Sequence, residues 1–82
     1  MNDDKLTKLL EEVEHAKKVC GEKSTYLASC YYDLGVYYVN HGEKMKAMEA
    51  FGDCLYIRKN LFSEESIYVR EIYYGLEQCT FM

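Results

Sequence analysis

Apolar residues recur at steps of three and four along the first quarter of the chain, which is the spacing of one face of an α-helix. They are Leu6, Leu9, Leu10, Val13, Ala16 and Val19. Asp3 and Asp4 suit the positive end of such a helix, and Gly21 can adopt the left-handed conformation that ends it. The pattern predicts a first helix over residues 3–20.

A second helix follows the polar connection at residues 22–25, where Ser24 or Thr25 can accept a hydrogen bond from the free N–H groups of its first turn. It is expected to run to about His41 and to end at Gly42. Its inner stripe consists of Tyr31, Leu34 and Tyr38.

The third and fourth helices complete the all-α pattern. The third should begin at Glu43 or Lys44, and its short connection to the second helix makes the two antiparallel neighbours. Its apolar positions are Ala47, Met48, Phe51, Leu55 and Leu61. Ser66 is the expected N-cap of the last helix, predicted over residues 67–79. The residues expected to face inward from that helix are Tyr73 and Leu76.

The chain repeats itself at an offset of 42 residues, which lays Tyr26 on Tyr68 and Leu9 on Phe51. The other identical pairs are Glu22/Glu64, Ser24/Ser66, Tyr31/Tyr73, Tyr32/Tyr74 and Leu34/Leu76. Periods of this length are typical of stacked helical units, each of which buries its apolar face on the next.

We therefore expect one helical module over residues 1–82. It would comprise the second helix of a preceding unit (1–23), a complete unit (24–65) and the first helix of a following unit (66–82). Each half-unit leaves a face without a neighbour, so the chain could be a fragment of a longer array or a subunit of a larger assembly.

The central unit carries a spaced set of bulky and small residues, namely Tyr31, Leu34, Gly35, Tyr38, Ala47 and Phe51. Their spacing resembles the tetratricopeptide repeat signature W-x2-L-G-x2-Y…A-x3-F, with Tyr in place of Trp. The long end of the unit, residues 57–66, is similar to the lengthened repeats of kinesin light chains. The resemblance implies a solenoid of antiparallel helical hairpins, in which Gly35 lets the paired helix approach and Phe51 fills the space. The usual Pro after the second helix is missing, and Glu77 stands where the last unit should have Gly.

The resemblance also implies a concave groove lined by the first helix of each unit, with repeat-related Tyr32 and Tyr74 on one wall. The groove residues that it implies are Ser29, Tyr32, Asp33, Val36, Asn40, Glu71, Tyr74 and Gln78. Tyrosine anchors many interfaces because it buries a large area and keeps a hydroxyl. The same tyrosines could instead pack on a neighbouring helix, and both interpretations stay open.

The groove chemistry indicates what kind of partner would fit. The carboxylate clamp of chaperone-binding relatives needs Lys, Asn and Arg, which the matching positions of this chain do not supply. Asp33 and Glu71 favour a protein or peptide segment that is apolar with basic residues.

Charge and composition exclude other partners. A net charge of −4, with 10 Lys and Arg against 14 Asp and Glu, disfavours nucleic acid. The acidic start is unlike a signal peptide, and no apolar run approaches the ~18 residues of a membrane span. We expect a cytoplasmic protein, with cytoskeletal or ciliary association suggested by analogy to kinesin light chains alone.

Residues for catalysis or cofactor binding are sparse. His15 and His41 are the two histidines, and the sequence has no CxxC pair and no Gly-rich phosphate loop. The four cysteines, expected to be buried thiols, are Cys20, Cys30, Cys54 and Cys79. We therefore expect no catalytic site, cofactor or metal.

The sequence as a whole predicts a non-enzymatic interaction module, scaffold or adaptor that holds a peptide or helix of a partner protein. The alternative is a structural subunit that self-associates through its exposed terminal helices.

Overall fold

The computed structural model describes residues 4–21 and 24–81 and shows four α-helices. They are α1 (Asp4–Cys20), α2 (Thr25–Asn40), α3 (Lys44–Leu61) and α4 (Ile67–Thr80). No strand occurs within these described ranges, so the all-α prediction with four helices is confirmed. The expected helix start at Asp3 and the connection residues Glu22 and Lys23 lie outside the described residues.

The helix ends follow the sequence signals closely. The Ser24 hydroxyl accepts a hydrogen bond from the Leu27 N–H at 3.0 Å, and Ser66 caps α4 in the same way. Gly21 and Gly42 have φ angles of +82° and +72°, the left-handed conformation that stops α1 and α2. The capping prediction at Ser24 and Ser66 is confirmed.

The helices stack in chain order. Within the described part of the chain α1 packs on α2 alone, α3 packs on α2 and α4, and α4 also touches α2. The Cα atoms span 40 × 34 × 15 Å, and the shortest of these dimensions corresponds to two layers of helices. This arrangement places α2 at the centre, with a neighbour on either side.

Phe51 is the central residue of the core and is only 1% exposed. A methyl group on Gly35 would lie 2.7 Å from its Cε1 atom, and one on Gly75 would lie 2.8 Å from its Cζ atom. The ring of α3 is therefore held between the backbones of α2 and α4. Gly35 has the role expected of it, whereas the second clearance, at Gly75, was not predicted.

One side chain expected to face inward does not, and two of the apolar positions of α3 are exposed as well. Tyr73 is 40% exposed, and Met48 and Leu61 are also exposed. Tyr73 occupies the position in α4 that Tyr31 occupies in α2. Among the described residues α2 is packed between α1 and α3, whereas α4 contacts α3 and, less extensively, α2. The Tyr73 hydroxyl instead donates to Glu64 at 3.4 Å.

The cysteines divide three to one. Cys30, Cys54 and Cys79 are buried as expected, but Cys20 is exposed because it is the last residue of α1. The expectation of four buried thiols was wrong at that position. Burial raises the pKa of the Cys54 thiol to about 11, against a smaller opposing effect of Arg58.

Candidate partner-binding groove

Five of the eight predicted groove residues line one pocket between α2 and α4, which we call the α2–α4 pocket. Its volume is about 290 Å³. The full lining is Tyr32, Val36, Val39, Asn40, Phe51, Tyr74, Gly75 and Gln78. No charged side chain lines it, so the pocket combines aromatic and aliphatic walls with two carboxamides.

Helical periodicity explains this assembly of side chains. Tyr32, Val36 and Asn40 are four residues apart and form one stripe of α2. Tyr74 and Gln78 have the same spacing on α4. Tyr74 is 65% exposed, which leaves most of its ring available to a ligand.

A second pocket lies on the other side of the same α2 stripe, beside the start of α1, and we call it the α1–α2 pocket. Its volume is about 440 Å³. The lining is Lys5, Leu9, Tyr32, Asp33, Val36, Tyr37, Asn40 and His41. Tyr32, Val36 and Asn40 belong to both pockets, and they form the ridge between them.

The two pockets are related by the 42-residue offset of the sequence. Four lining residues of the α2–α4 pocket have partners at this offset in the α1–α2 pocket. The pairs are Phe51 with Leu9, Tyr74 with Tyr32, Gly75 with Asp33, and Gln78 with Val36. Repeat-related residues thus build repeat-related concavities, and Asp33 supplies a charge to only one of them.

Two predicted groove residues lie elsewhere. Ser29 is exposed and lines neither pocket. Glu71 accepts a hydrogen bond from Arg58, whose guanidinium also donates to the Tyr68 carbonyl at 2.8 Å. The negative charge of Glu71 is therefore already met within the chain, and sequence reasoning had not identified this pairing.

Arg58 of α3 is buried, with only 5% of its surface exposed, and it contacts both α2 and α4. Its guanidinium lies 5.4 Å from the centre of the Tyr32 ring and 5.7 Å from that of Tyr68, distances at which a cation is attracted to an aromatic face. Arg58 thereby holds the α4 start and the groove residue Tyr32 against the end of α3.

Tyr32 serves both the groove and the core. Its ring packs edge-on against Phe51, with 5.7 Å between the ring centres. Burial raises the pKa of its hydroxyl, and Glu71 raises it further while Arg58 acts in the opposite direction. The interpretation that these tyrosines pack on a neighbouring helix therefore holds for Tyr32, which also lines both pockets, whereas Tyr74 is the more open residue.

Asp33 is an exposed carboxylate in an unfavourable electrostatic position. Desolvation raises its pKa most, Glu12 raises it further, and Arg58 and Lys5 lower it. Within residues 4–21 and 24–81 it makes no hydrogen bond or ion pair. Asp33 therefore lacks a direct partner, and the attraction of Arg58 and Lys5 does not offset its desolvation, which distinguishes the α1–α2 pocket.

A third pocket, of about 400 Å³, contains none of the predicted groove residues. Its polar rim has Lys17 and Lys46 facing Glu49 and Asp53, so its charges balance. Lys46 also lies 5.8 Å from the centre of the Tyr38 ring.

Neither a metal-binding cluster nor a membrane-spanning helix occurs in the described residues. The described ranges contain no group of three or more His, Cys, Asp and Glu that could hold a metal ion. None of the four helices combines the length and apolar character needed to cross a membrane. His41 lies at the end of α2, where its Nδ1 atom is 2.8 Å from the Tyr37 carbonyl and its ring stacks on that of Tyr37.

Comparison of the chain with protein-family models, curated proteins and solved structures found no match.

Proposed function

We propose that this chain is a non-enzymatic protein-interaction module that holds a segment of a partner protein across the α2–α4 and α1–α2 pockets. The observation that carries the proposal is the α2–α4 pocket. There, five of the side chains that the tetratricopeptide resemblance implies for a groove lie together above a buried phenylalanine.

The chemistry of the α2–α4 pocket suits a peptide. Exposed Tyr74 offers a large, stiff apolar surface of the kind that dominates interface energies. Asn40 and Gln78 each carry a donor and an acceptor, which match the N–H and C=O groups of a peptide backbone. Concave, mostly apolar sites with a few polar groups are the usual form of ligand pockets.

A tetratricopeptide-like arrangement is the architecture that we propose for this module. It is supported by the 42-residue offset, by the repeat-related pockets and by the close approach of Gly35 to Phe51. By analogy with kinesin light chains, the setting would be a cytoplasmic scaffold or adaptor, with cytoskeletal association as one form.

Self-association through the terminal helices is less well supported, because charged or polar side chains occupy positions of both helices whose repeat equivalents are buried. The α1 residues Lys5, Lys8, Glu12 and His15 are all exposed, and they are the repeat equivalents of buried Ala47, Ala50, Cys54 and Ile57. Charged or polar side chains thus replace the small and apolar ones that allow helices to pack.

The open face of α4 has the same character. Exposed Arg70 and Glu77 are the repeat equivalents of Ala28 and Gly35, which are buried in α2. A helix could not approach α4 here as closely as α3 approaches Gly35. The apolar side chains that α3 exposes in one row are Met45, Met48 and Tyr56. Should light scattering find a dimer, Met45→Lys would test whether that row mediates it.

Peptide selection tests the proposed function. A displayed library of random peptides would be selected on the wild-type chain, and enriched peptides would be measured by fluorescence anisotropy. Tyr74→Ala should weaken binding at least about tenfold, the loss expected when an aromatic anchor worth about 1.4 kcal/mol or more is removed. Far-UV circular dichroism should be unchanged.

Tyr56→Ala is the matched control, because Tyr56 is 64% exposed on α3 and lines neither pocket. It should leave affinity unchanged. Equal losses in the two variants, or a failure to enrich any peptide, would contradict the proposed groove.

A further inference from the structure

The proposed function leaves open which peptide sequence fits, and the difference between the two pockets bears on this. We propose that the two pockets together bind one extended segment of the partner, which carries one bulky apolar residue and one Lys or Arg about three residues apart. The apolar side chain enters the α2–α4 pocket, and the basic side chain reaches Asp33 in the α1–α2 pocket. This inference rests on the proposed function and specifies its partner.

The α2–α4 pocket selects for an uncharged side chain. Its lining contains no Asp, Glu, Lys or Arg, and its floor is the buried ring of Phe51. A charged side chain placed there would lose its hydration without gaining an ion pair, which is costly. A side chain such as Leu or Phe gains free energy from the same burial.

The α1–α2 pocket selects for a cation. Its charged lining residues are Asp33 and Lys5, and Glu12 lies close enough to raise the pKa of Asp33 further. The two carboxylates outnumber the one lysine. The nearby guanidinium of Arg58 also lowers the pKa of Asp33, but its own ion pair is with Glu71, which adds a third carboxylate to the same region. The lining also contains Tyr32, Tyr37 and His41.

A bound Lys or Arg would therefore form the direct ion pair that Asp33 lacks within the described residues. The raised pKa of Asp33 agrees with this interpretation, because it shows that the ionised form is poorly stabilised in the unbound chain. Lys5 is exposed at the start of α1, so its ammonium group is free to turn away from an incoming cation.

The separation of the two side chains follows from helix packing. The pockets lie at repeat-related positions on either side of the α2 stripe, and packed helices such as α2 and α4 are about 8–10 Å apart. An extended peptide advances about 3.3 Å per residue, so this distance corresponds to about three residues.

Synthetic peptides of one composition test the register. Each would have acetylated and amidated ends, one Leu and one Lys in a Ser-Gly background, with the Lys placed one to six residues before or after the Leu. Affinity for the wild-type chain should peak at a separation of three, in one of the two directions. The gain over other separations should be about tenfold, as for one added charge pair.

Variants assign each anchor to its pocket. Asp33→Asn should abolish the preference for Lys and keep the preference for Leu. Tyr74→Ala should abolish the preference for Leu and keep the preference for Lys. Asp53→Asn is the control, because Asp53 is an exposed carboxylate that lines neither pocket and also has a raised pKa. It should leave both preferences intact.

The outcomes separate this inference from the proposed function. Affinities independent of Lys position, or equal effects of Asp33→Asn and Asp53→Asn, would overturn the two-pocket register while library-selected peptides could still require Tyr74. If the selected peptides also bound without requiring Tyr74, the proposed function would fail as well.

Discussion

Gly35→Ala should destabilise this chain, although replacing Gly by Ala at a solvent-exposed helix position usually stabilises a protein. The new methyl group would lie 2.7–2.9 Å from three atoms of the Phe51 ring, whereas carbon atoms prefer about 3.5–4.0 Å. The ring cannot retreat, because the Gly75 position closes its other side at 2.8 Å. One of the three helices must therefore move.

The magnitude is the difference between two effects. Replacing Gly by Ala inside a helix gains about 0.8–1 kcal/mol. Forcing extra volume into a packed core typically costs about 1–3 kcal/mol, so the free energy of unfolding should fall by up to about 2 kcal/mol. Gly52→Ala is the matched control: Gly52 is also helical, and a methyl group there meets nothing within 4 Å. It should stabilise by about 0.5–1 kcal/mol.

Urea unfolding followed by circular dichroism measures both changes, with the slope of each transition checking that two-state behaviour is preserved. Phe51→Ala, which should itself cost about 3–5 kcal/mol, removes the obstacle and should turn Gly35→Ala from destabilising to neutral or stabilising. If Gly35→Ala stabilised the wild-type chain as much as Gly52→Ala does, the argument from packing would be refuted.

Two further predictions concern thiols and pH. In the native chain exposed Cys20 should react promptly with an aromatic disulfide reagent. Cys54 is buried and has a pKa of about 11, so it should react only on unfolding. Prompt reaction of all four thiols would contradict the burial pattern. Asp33→Asn should raise the free energy of unfolding at pH 7, because burial and a neighbouring carboxylate raise the pKa of Asp33 in the folded chain. A raised pKa means that the ionised carboxylate opposes folding. The extra stability of Asp33→Asn over the wild type should therefore disappear as the pH falls below about 3.9, the pKa of Asp in the unfolded chain. Urea titrations at pH 7 and pH 3 measure the difference in the free energy of unfolding between variant and wild type, and a difference that grew at the lower pH would be inconsistent with this sign.

The helices and their ends could be predicted because they depend on local signals. Ser24 and Ser66 cap helices through bonds to residues two or three positions away, and Gly42 stops one through its own backbone conformation. Such interactions are fixed by nearby residues. The side chains that share the α2 stripe followed from the helical period in the same way.

Contacts between helices were harder to infer. The pairing of Arg58 with Glu71 depends on how the end of α3 meets α4, which no local pattern specifies. The repeat register matches Gly75 with Asp33, a larger residue, so it gave no signal of the close approach to Phe51.

The repeat register also gave a wrong prediction for Tyr73, which was expected to face inward and is exposed. A shared position in the repeat predicts a shared environment only where the neighbouring helices are the same. Tyr31 lies in a helix with neighbours on both sides, whereas α4 contacts α3 and, less extensively, α2. The exposure of Tyr73 follows from that difference.

The central claim is that the face shared by α2 and α4 binds a peptide, and chemical-shift mapping of a library-selected peptide onto the ¹⁵N-labelled chain tests it most directly. The largest changes should occur at Val36, Asn40 and Gln78, while the exposed Met45 and Tyr56 of α3 should be unaffected. Changes concentrated on that outer face of α3, with the α2–α4 pocket unperturbed, would contradict it.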